Sequence, residues 1–152
     1  MRKNATVKDQ LAIAHRLNNA GEYELAIDAF FRAAADEGLS EDVLVGLGSA
    51  NLGLGRLGQA EDLLRDAIKN DDASPVSYNN LGVVLMEKGE TPEAEQMFRR
   101  AFALDNGESD AIRDNLSLAL AKIDNPSYDT ELEQDYKLVR RGSGEFLIRS
   151  IP

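Results

Sequence analysis

Apolar residues along the chain recur every three or four positions, in short stretches separated by polar segments that contain a glycine. Between residues 78 and 105, Leu81, Val84 and Leu85 fall on one helical face. A second set follows Gly89 at helical spacing: Ala94, Met97, Phe98 and Ala101. This pattern predicts two amphipathic helices joined by a tight turn at Gly89.

The predicted pair of helices repeats along the chain with a period of 34 residues. The windows 7–40, 41–74 and 75–108 align without a gap. The matching columns are small residues (Ala14, Gly48, Gly82), glycines (Gly21, Gly55, Gly89), alanines (Ala26, Ala60, Ala94), large apolar residues (Phe30, Leu64, Phe98) and alanines again (Ala33, Ala67, Ala101). The small residues predict close approach of the paired helix backbones, because bulkier side chains would hold them apart.

The pattern continues for one more helix and then changes. Asn115-Leu116 aligns with Asn80-Leu81 after one inserted residue, which predicts a fourth first-helix over 109–123. Residues 124–152 follow it, and Asn125-Pro126 breaks the helical pattern at their start.

Within this last segment we predict a capping helix at about 131–141. A Thr-x-x-Glu capping box opens it, and Leu132, Tyr136 and Val139 recur at helical spacing. After Gly142-Ser143-Gly144, the alternation of EFLIRSI predicts an extended tail over 145–151, with a disordered end as the equal alternative.

A 34-residue helix–turn–helix unit with these columns resembles the tetratricopeptide repeat (TPR), and the best unit is YNNLGVVLMEKGETPEAEQMFRRAFALD. The resemblance implies an all-α fold, a right-handed α-solenoid of three full repeats with a fourth first-helix and a C-terminal capping segment. Residues 1–6 form a lead-in. The first window departs most from the pattern, since Gln10 and Ala14 replace a bulky residue and a glycine. In the second window, Asn51 stands where an aromatic residue is common.

Composition narrows the partners that this fold could take. The net charge of −10 argues against nucleic acid, because phosphate binding needs clustered Lys and Arg. No apolar run has the length of a membrane span, and the N-terminus lacks the apolar segment of a signal peptide. The absence of Cys suits both cytoplasm and periplasm, so the compartment stays undetermined, and a leader removed from the sequence is a further alternative.

One motif offers a competing function, since GLGRLG at residues 53–58 fits the G-x-G-x-x-G pattern of dinucleotide-binding folds. That fingerprint requires a preceding strand, whereas this stretch aligns with helices in the other windows. Only Gly55 recurs in all three repeats, so the alignment favours a turn between helices. We therefore expect no cofactor.

Other chemistry has little support in the sequence. His15 is the one histidine, and we expect it to be a surface or groove residue without a catalytic role. The run Asp105-Asn106-Gly107-Glu108 lacks the alternate ligands of a calcium loop, and we expect no metal site. The sequence predicts a protein that is not an enzyme.

The resemblance implies that the first helix of each pair lines a concave, peptide-binding groove. Carried over position by position, it nominates Leu11, His15 and Asn18, then Val45, Ser49 and Leu52, then Asn79, Val83 and Met86, and finally Asp114 and Leu118. Ordinary packing is the alternative for Val45, Val83 and Leu118, and a solvated helix face is the alternative for Asn18 and Asn79.

The same comparison of groove positions argues against ligands that bind through a terminal carboxylate. TPR co-chaperones that bind terminal carboxylates use cations and Asn at set groove positions. Those places hold Leu11, His15, Gly46, Val76 and Asn80 here. Without cations an acidic tail has no charge partner.

The leading hypothesis is a scaffold or adaptor that binds a protein segment in the groove and assists the assembly of a complex. The run from Asn79 to Ala121 is loosely similar to bacterial TPR proteins, including those of tight-adherence pilus assembly. One alternative is a secretion-type chaperone, although only six residues precede the first repeat where such chaperones have a long dimerisation region. Another is an accessory interaction domain of a larger enzyme or sensor. The tail is also a candidate for homodimer formation, or for binding in its own groove.

Overall fold

The structure, a computed structural model, describes residues 6–125, 136–141 and 145–150. Within these residues seven α-helices follow one another: α1 (Val7–Asn19), α2 (Tyr23–Glu37), α3 (Glu41–Gly53), α4 (Leu57–Ala67), α5 (Pro75–Glu87), α6 (Thr91–Asp105) and α7 (Asp110–Asp124). Two strands, β1 (Tyr136–Arg141) and β2 (Glu145–Ser150), complete the described chain. The helical solenoid predicted from the 34-residue period is confirmed, and α7 is its fourth first-helix.

The helices pack as antiparallel pairs that form two layers. Each first helix packs against its own second helix, as α1 does on α2, α3 on α4 and α5 on α6. The first helices also contact one another along the stack, from α1 to α3, to α5 and to α7. They therefore form one continuous layer, which is the concave layer of a repeat solenoid.

Small residues on the first helices receive large residues of the second helices. A Cβ added at Gly82 would lie 2.5 Å from Cε1 of Phe98, and one at Gly48 would lie 2.7 Å from Cγ of Leu64. These are the aligned columns of repeats three and two, so the predicted close approach of the helices is confirmed. A further contact joins neighbouring repeats, because a Cβ at Gly46 would overlap the ring of Phe30.

The glycine shared by the three windows lies at the turn between paired helices. Gly21, Gly55 and Gly89 have φ angles of 81°, 76° and 80°. L-residues with a side chain rarely adopt this left-handed region, which explains why the same residue type recurs there.

The segment after α7 differs from its prediction. Residues 136–141 form β1, so the capping helix predicted at about 131–141 is wrong over these residues; its first part, 131–135, lies outside the described residues. β1 pairs antiparallel with β2, with Leu138 opposite Ile148 and Arg141 opposite Glu145. Pairing with an apolar strand across a short Gly-containing connection outweighs the helical spacing of Tyr136 and Val139.

The extended tail predicted after the Gly-Ser-Gly connection is confirmed over 145–150. β2 packs against α5 and α7, two helices of the concave layer. The hairpin therefore lies on the face that the sequence assigned to a ligand.

Candidate functional site

The eleven predicted groove residues lie on the four helices of the concave layer, but their exposure differs strongly. The residues on α3 and α5 are buried: Val45, Ser49, Leu52, Asn79, Val83 and Met86. On α1, Asn18 is also buried, whereas Leu11 and His15 are partly exposed. On α7, Asp114 is exposed and Leu118 is partly exposed. The predicted groove is thus accessible mainly at its two ends.

Asparagine side chains link three of the concave-layer helices through a buried chain of hydrogen bonds. Asn80 Nδ2 on α5 donates to Ser49 Oγ on α3 at 3.1 Å. Asn79 Nδ2 donates to Asn80 Oδ1 at 3.2 Å, and Asn115 Nδ2 on α7 donates to Asn79 Oδ1 at 3.0 Å. All four side chains are at most 1% exposed. Because buried polar groups need partners, this chain fixes the register between neighbouring repeats.

Two members of this chain, Asn80 and Asn115, were not predicted as groove residues. The signal for them was the alignment of Asn115-Leu116 with Asn80-Leu81, which repeats an amide at one position of the first helix. The solvated-face alternative for Asn79 is wrong, because this side chain is completely buried and hydrogen bonded to α7.

The amides of the first two repeats differ from this arrangement. Asn18 is 1% exposed, so the solvated-face alternative is wrong for it as well. Its Oδ1 atom, like Oε1 of Gln10, is buried and has no hydrogen-bond partner among the described residues. Asn51, which stands where an aromatic is common, donates from Nδ2 to the carbonyl oxygen of Leu47 at 2.8 Å. The first window therefore departs from the repeat pattern in its hydrogen bonding as well as in its sequence.

His15 lies at the N-terminal end of the concave layer and contacts its neighbours through a hydrogen bond and through ring packing. Its Nε2 is 2.9 Å from Oδ1 of Asp42, and its ring meets that of Phe30 edge to face at 5.1 Å. The hydrogen bond from His15 lowers the pKa of Asp42, and burial opposes this effect. Asp42 is the one hydrogen-bond partner of His15 among the described residues, an arrangement without the nucleophile of a catalytic triad.

A carboxylate joins the N-termini of α3 and α5. Glu41 Oε1 accepts hydrogen bonds from the backbone N–H of Ser74 and from Oγ of Ser77, each at 2.6 Å. Burial raises the pKa of Glu41, but these hydrogen bonds lower it by more, so its pKa lies below the ordinary value. No pattern in the sequence had indicated this contact, because the partners are 33 and 36 residues apart.

The glycines of GLGRLG have roles in packing and turning. A Cβ added at Gly53 would lie 2.3 Å from the ring of Tyr23 on α2, and Gly55 has the positive φ of the turn. Gly53 ends α3, so a helix stands where a dinucleotide fold would have its strand.

The acidic loop before α7 is held together by its own backbone. Asp105 accepts hydrogen bonds from the N–H groups of Gly107 and Ser109 at 2.9 and 3.0 Å. The described part of the chain contains no group of three or more His, Cys, Asp or Glu placed to hold a metal ion. None of the described helices combines the length and apolarity that crossing a bilayer requires.

Comparison with known proteins supports the repeat assignment. The family model "Tetratricopeptide repeat" matches residues 11–75 and 45–111. A search of curated protein sequences finds no significant match. The likeness to tight-adherence pilus proteins therefore stays a prediction.

Three solved structures illustrate the similarity of fold. The Sgt2 TPR domain from Aspergillus fumigatus is 19% identical, with a TM-score of 0.74 over 80% of this chain and 82% of that one. The Yersinia enterocolitica type III secretion chaperone SycD, in complex with a peptide of the translocator YopD, is 20% identical, with a TM-score of 0.67 over 80% and 97%. The second TPR domain of human RPAP3, in complex with the HSP70 peptide SGPTIEEVD, is 22% identical, with a TM-score of 0.64 over 73% and 92%.

At these identities the structural likeness concerns the fold. The family model, by contrast, matches most of the helical region, residue 11 to residue 111, and its two overlapping matches follow the same 34-residue period that the glycine columns define. The chain belongs to the tetratricopeptide repeat family.

Proposed function

We propose that the protein is a non-enzymatic scaffold or adaptor, whose concave layer binds an extended segment of a partner protein and assists the assembly of a complex. The observation that carries this proposal is the contact of β2 with α5 and α7. This contact supports the proposal, because an extended strand packs on two helices of the concave layer and a partner segment would bind in the same extended shape.

The comparisons support the proposal by analogy of fold. SycD and the RPAP3 domain were each solved with a peptide bound, and each matches nearly its whole length to this chain. The RPAP3 ligand ends in the acidic sequence EEVD. Our chain has Leu11, His15, Gly46, Val76 and Asn80 at the positions expected to bind such an end, so we propose a ligand of different chemistry.

A secretion-type chaperone is the second candidate. The match to SycD, which covers 97% of that chaperone, favours it over an accessory domain of an enzyme or sensor. In this candidate function the bound segment would belong to an exported protein, which the chain would hold until its export.

Photocrosslinking from defined positions tests the proposed function. A photoreactive amino acid replaces Leu11 or Asp114, two accessible positions of the concave layer, and in control variants it replaces Asp62 or Gln96, which are exposed on second helices. After irradiation in a lysate of the source cells, we expect a discrete partner to be crosslinked from the concave positions alone. Crosslinks of equal yield from the control positions would contradict binding in the groove.

A further inference from the structure

The C-terminal half of the concave layer is covered by β2, a strand of the chain's own C-terminal hairpin. β2 packs on α5 and α7, and the groove residues of α5 are closed to solvent: Asn79 and Val83 are 0% exposed and Met86 is 8% exposed. The other elements that pack on α5 are α3, α4, α6 and α7, its neighbours in the two helical layers. Among the described helices and strands with extensive contacts to α5, β2 is the one outside these layers, and it packs on the concave side.

We propose that the hairpin of β1 and β2 is a built-in ligand, which a partner segment must displace and whose chemistry the partner shares. This inference rests on the proposed function, because it names both the regulation and the ligand of the same groove. The expected ligand is an extended peptide that combines apolar and basic residues.

The residue types of the two strands define this chemistry. They include Lys137, Arg140, Arg141 and Arg149, against the single acid Glu145, in a chain whose net charge is −10. The apolar residues lie between these charges, and Leu138 and Val139 stand opposite Ile148 and Leu147 in the register. A basic, apolar segment thus complements an acidic solenoid.

The hairpin depends on the helices for its stability. Two strands without a further sheet are marginally stable in water, so β1 and β2 need the support of α5 and α7. Because the hairpin has little stability of its own, a partner of the same chemistry would compete with it for the helices that support it. The apparent affinity for the partner equals the affinity of the open groove multiplied by the fraction of molecules in which the hairpin is undocked.

Thiol accessibility measures this occupancy in the 152-residue chain, which has no native Cys. Val83→Cys places a reporter in the groove, and Ala94→Cys places a control in the interface between paired helices; both positions are 0% exposed. Each reporter is compared with and without the double substitution Leu147→Pro and Ile148→Pro. Because alternate residues of an antiparallel pair are hydrogen bonded, one of two consecutive prolines removes a bond of the ladder.

We expect the thiol introduced at position 83 to react with a disulfide reagent at least tenfold faster in the proline background, while the thiol at position 94 stays slow. Equal rates at position 83 in the two backgrounds would overturn the proposal. Parallel acceleration at position 94 would overturn it too, since the prolines would then have loosened the whole solenoid.

A peptide added in trans tests the chemistry of the ligand. The probe is a fluorescent synthetic peptide with the sequence of residues 136–150, and its matched control carries Glu in place of each Lys and Arg. We expect the probe to bind the proline variant of the 152-residue chain at least tenfold more tightly than the wild type, and the control peptide to bind neither. Equal affinity for the two proteins, or equal binding of the two peptides, would contradict the proposal.

The outcomes separate this inference from the proposed function. Fast labelling at position 83 of the otherwise wild-type chain would contradict the inference of a built-in ligand. It would not contradict the proposed adaptor function, because the groove would then be open to partners. Slow labelling at position 83 together with no partner crosslinked from the concave positions would support the built-in ligand and contradict the adaptor function.

Discussion

Asn115 on α7 donates a 3.0 Å hydrogen bond to the side-chain oxygen of Asn79 on α5, and both residues are completely buried. This contact ties the last helix, which has no second helix of its own after it among the described residues, to the repeat before it. The chain of amides continues from Asn79 through Asn80 to Ser49, so the same type of contact joins repeats two and three.

Removing the amide of Asn115 should therefore weaken the attachment of α7. We expect Asn115→Ala to lower the free energy of unfolding by about 1–3 kcal/mol, because a buried hydrogen bond is lost and a cavity is left. Urea denaturation followed by circular dichroism measures this change. Ser117→Ala, an exposed substitution on the same helix, is the control and should stay within about 0.5 kcal/mol of the wild type.

Two glycine substitutions should have effects of opposite sign. A Cβ at Gly82 would meet the buried ring of Phe98, so Gly82→Ala should destabilise the protein by about 1–3 kcal/mol. A Cβ at Gly58 on α4 meets nothing within 4 Å, and Gly58→Ala should stabilise by about 0.5–1 kcal/mol through helix propensity. Thermal unfolding of both variants checks the pair, and two shifts of the same sign would contradict the packing argument.

Substitution of Gly55, the turn glycine of GLGRLG, should destabilise the protein because of the backbone angle and not because of steric overlap. Gly55 has a φ of 76°, and a Cβ added there would meet nothing within 4 Å, so Gly55→Ala should cost about 1–2 kcal/mol through the backbone angle alone. Asn tolerates the left-handed region better, and Gly55→Asn should therefore cost less than Gly55→Ala. If the two variants unfolded at the same temperature, the angle would not be what selects glycine there.

The hydrogen bonds of Glu41 predict a pH dependence. Because the folded-state pKa of Glu41 is lowered, its contribution to stability is fully present above the ordinary glutamate pKa of about 4.3 and is lost as the pH falls through the lower folded value. Glu41→Gln should thus be less stable than the wild type at pH 7, with a difference that shrinks in this acidic range. Denaturation midpoints between pH 7 and pH 3 measure it, with the exposed Asp71→Asn as the control. A difference that stayed constant with pH would exclude the charge of Glu41 as its cause.

Deletion of residues 142–152 removes β2 and should reduce stability while leaving the helical content nearly unchanged. The reason is that β2 packs on α5 and α7, whose apolar surface would be exposed to water. Thermal unfolding gives the stability, and sedimentation gives the oligomeric state. An unchanged melting temperature would contradict a structural role for the strand, and the loss of a dimer would indicate that the tail also joins two copies.

The repeat alignment predicted some features of the site and missed others. It placed Asn79 and Val83 on the concave layer, and it found the glycines that meet Leu64 and Phe98. It did not indicate that the Asn79 amide binds α7, because hydrogen bonds between positions 36 residues apart leave no periodic signal. The same holds for Glu41, whose partners lie at the start of another repeat.

The sequence by itself determined the solenoid, since each 34-residue window carries its own helical periodicity, its small residue for close packing and its glycine for the turn. These are local properties, and their repetition allows them to be recognised in the sequence. Only the tertiary structure decided what covers the concave layer. Residues 136–141 have apolar positions that suit a helix or a strand, and the choice depends on pairing with 145–150 and on packing against α5 and α7. Pairing energy of this kind comes from distant parts of the chain, so the pattern within the segment cannot contain it.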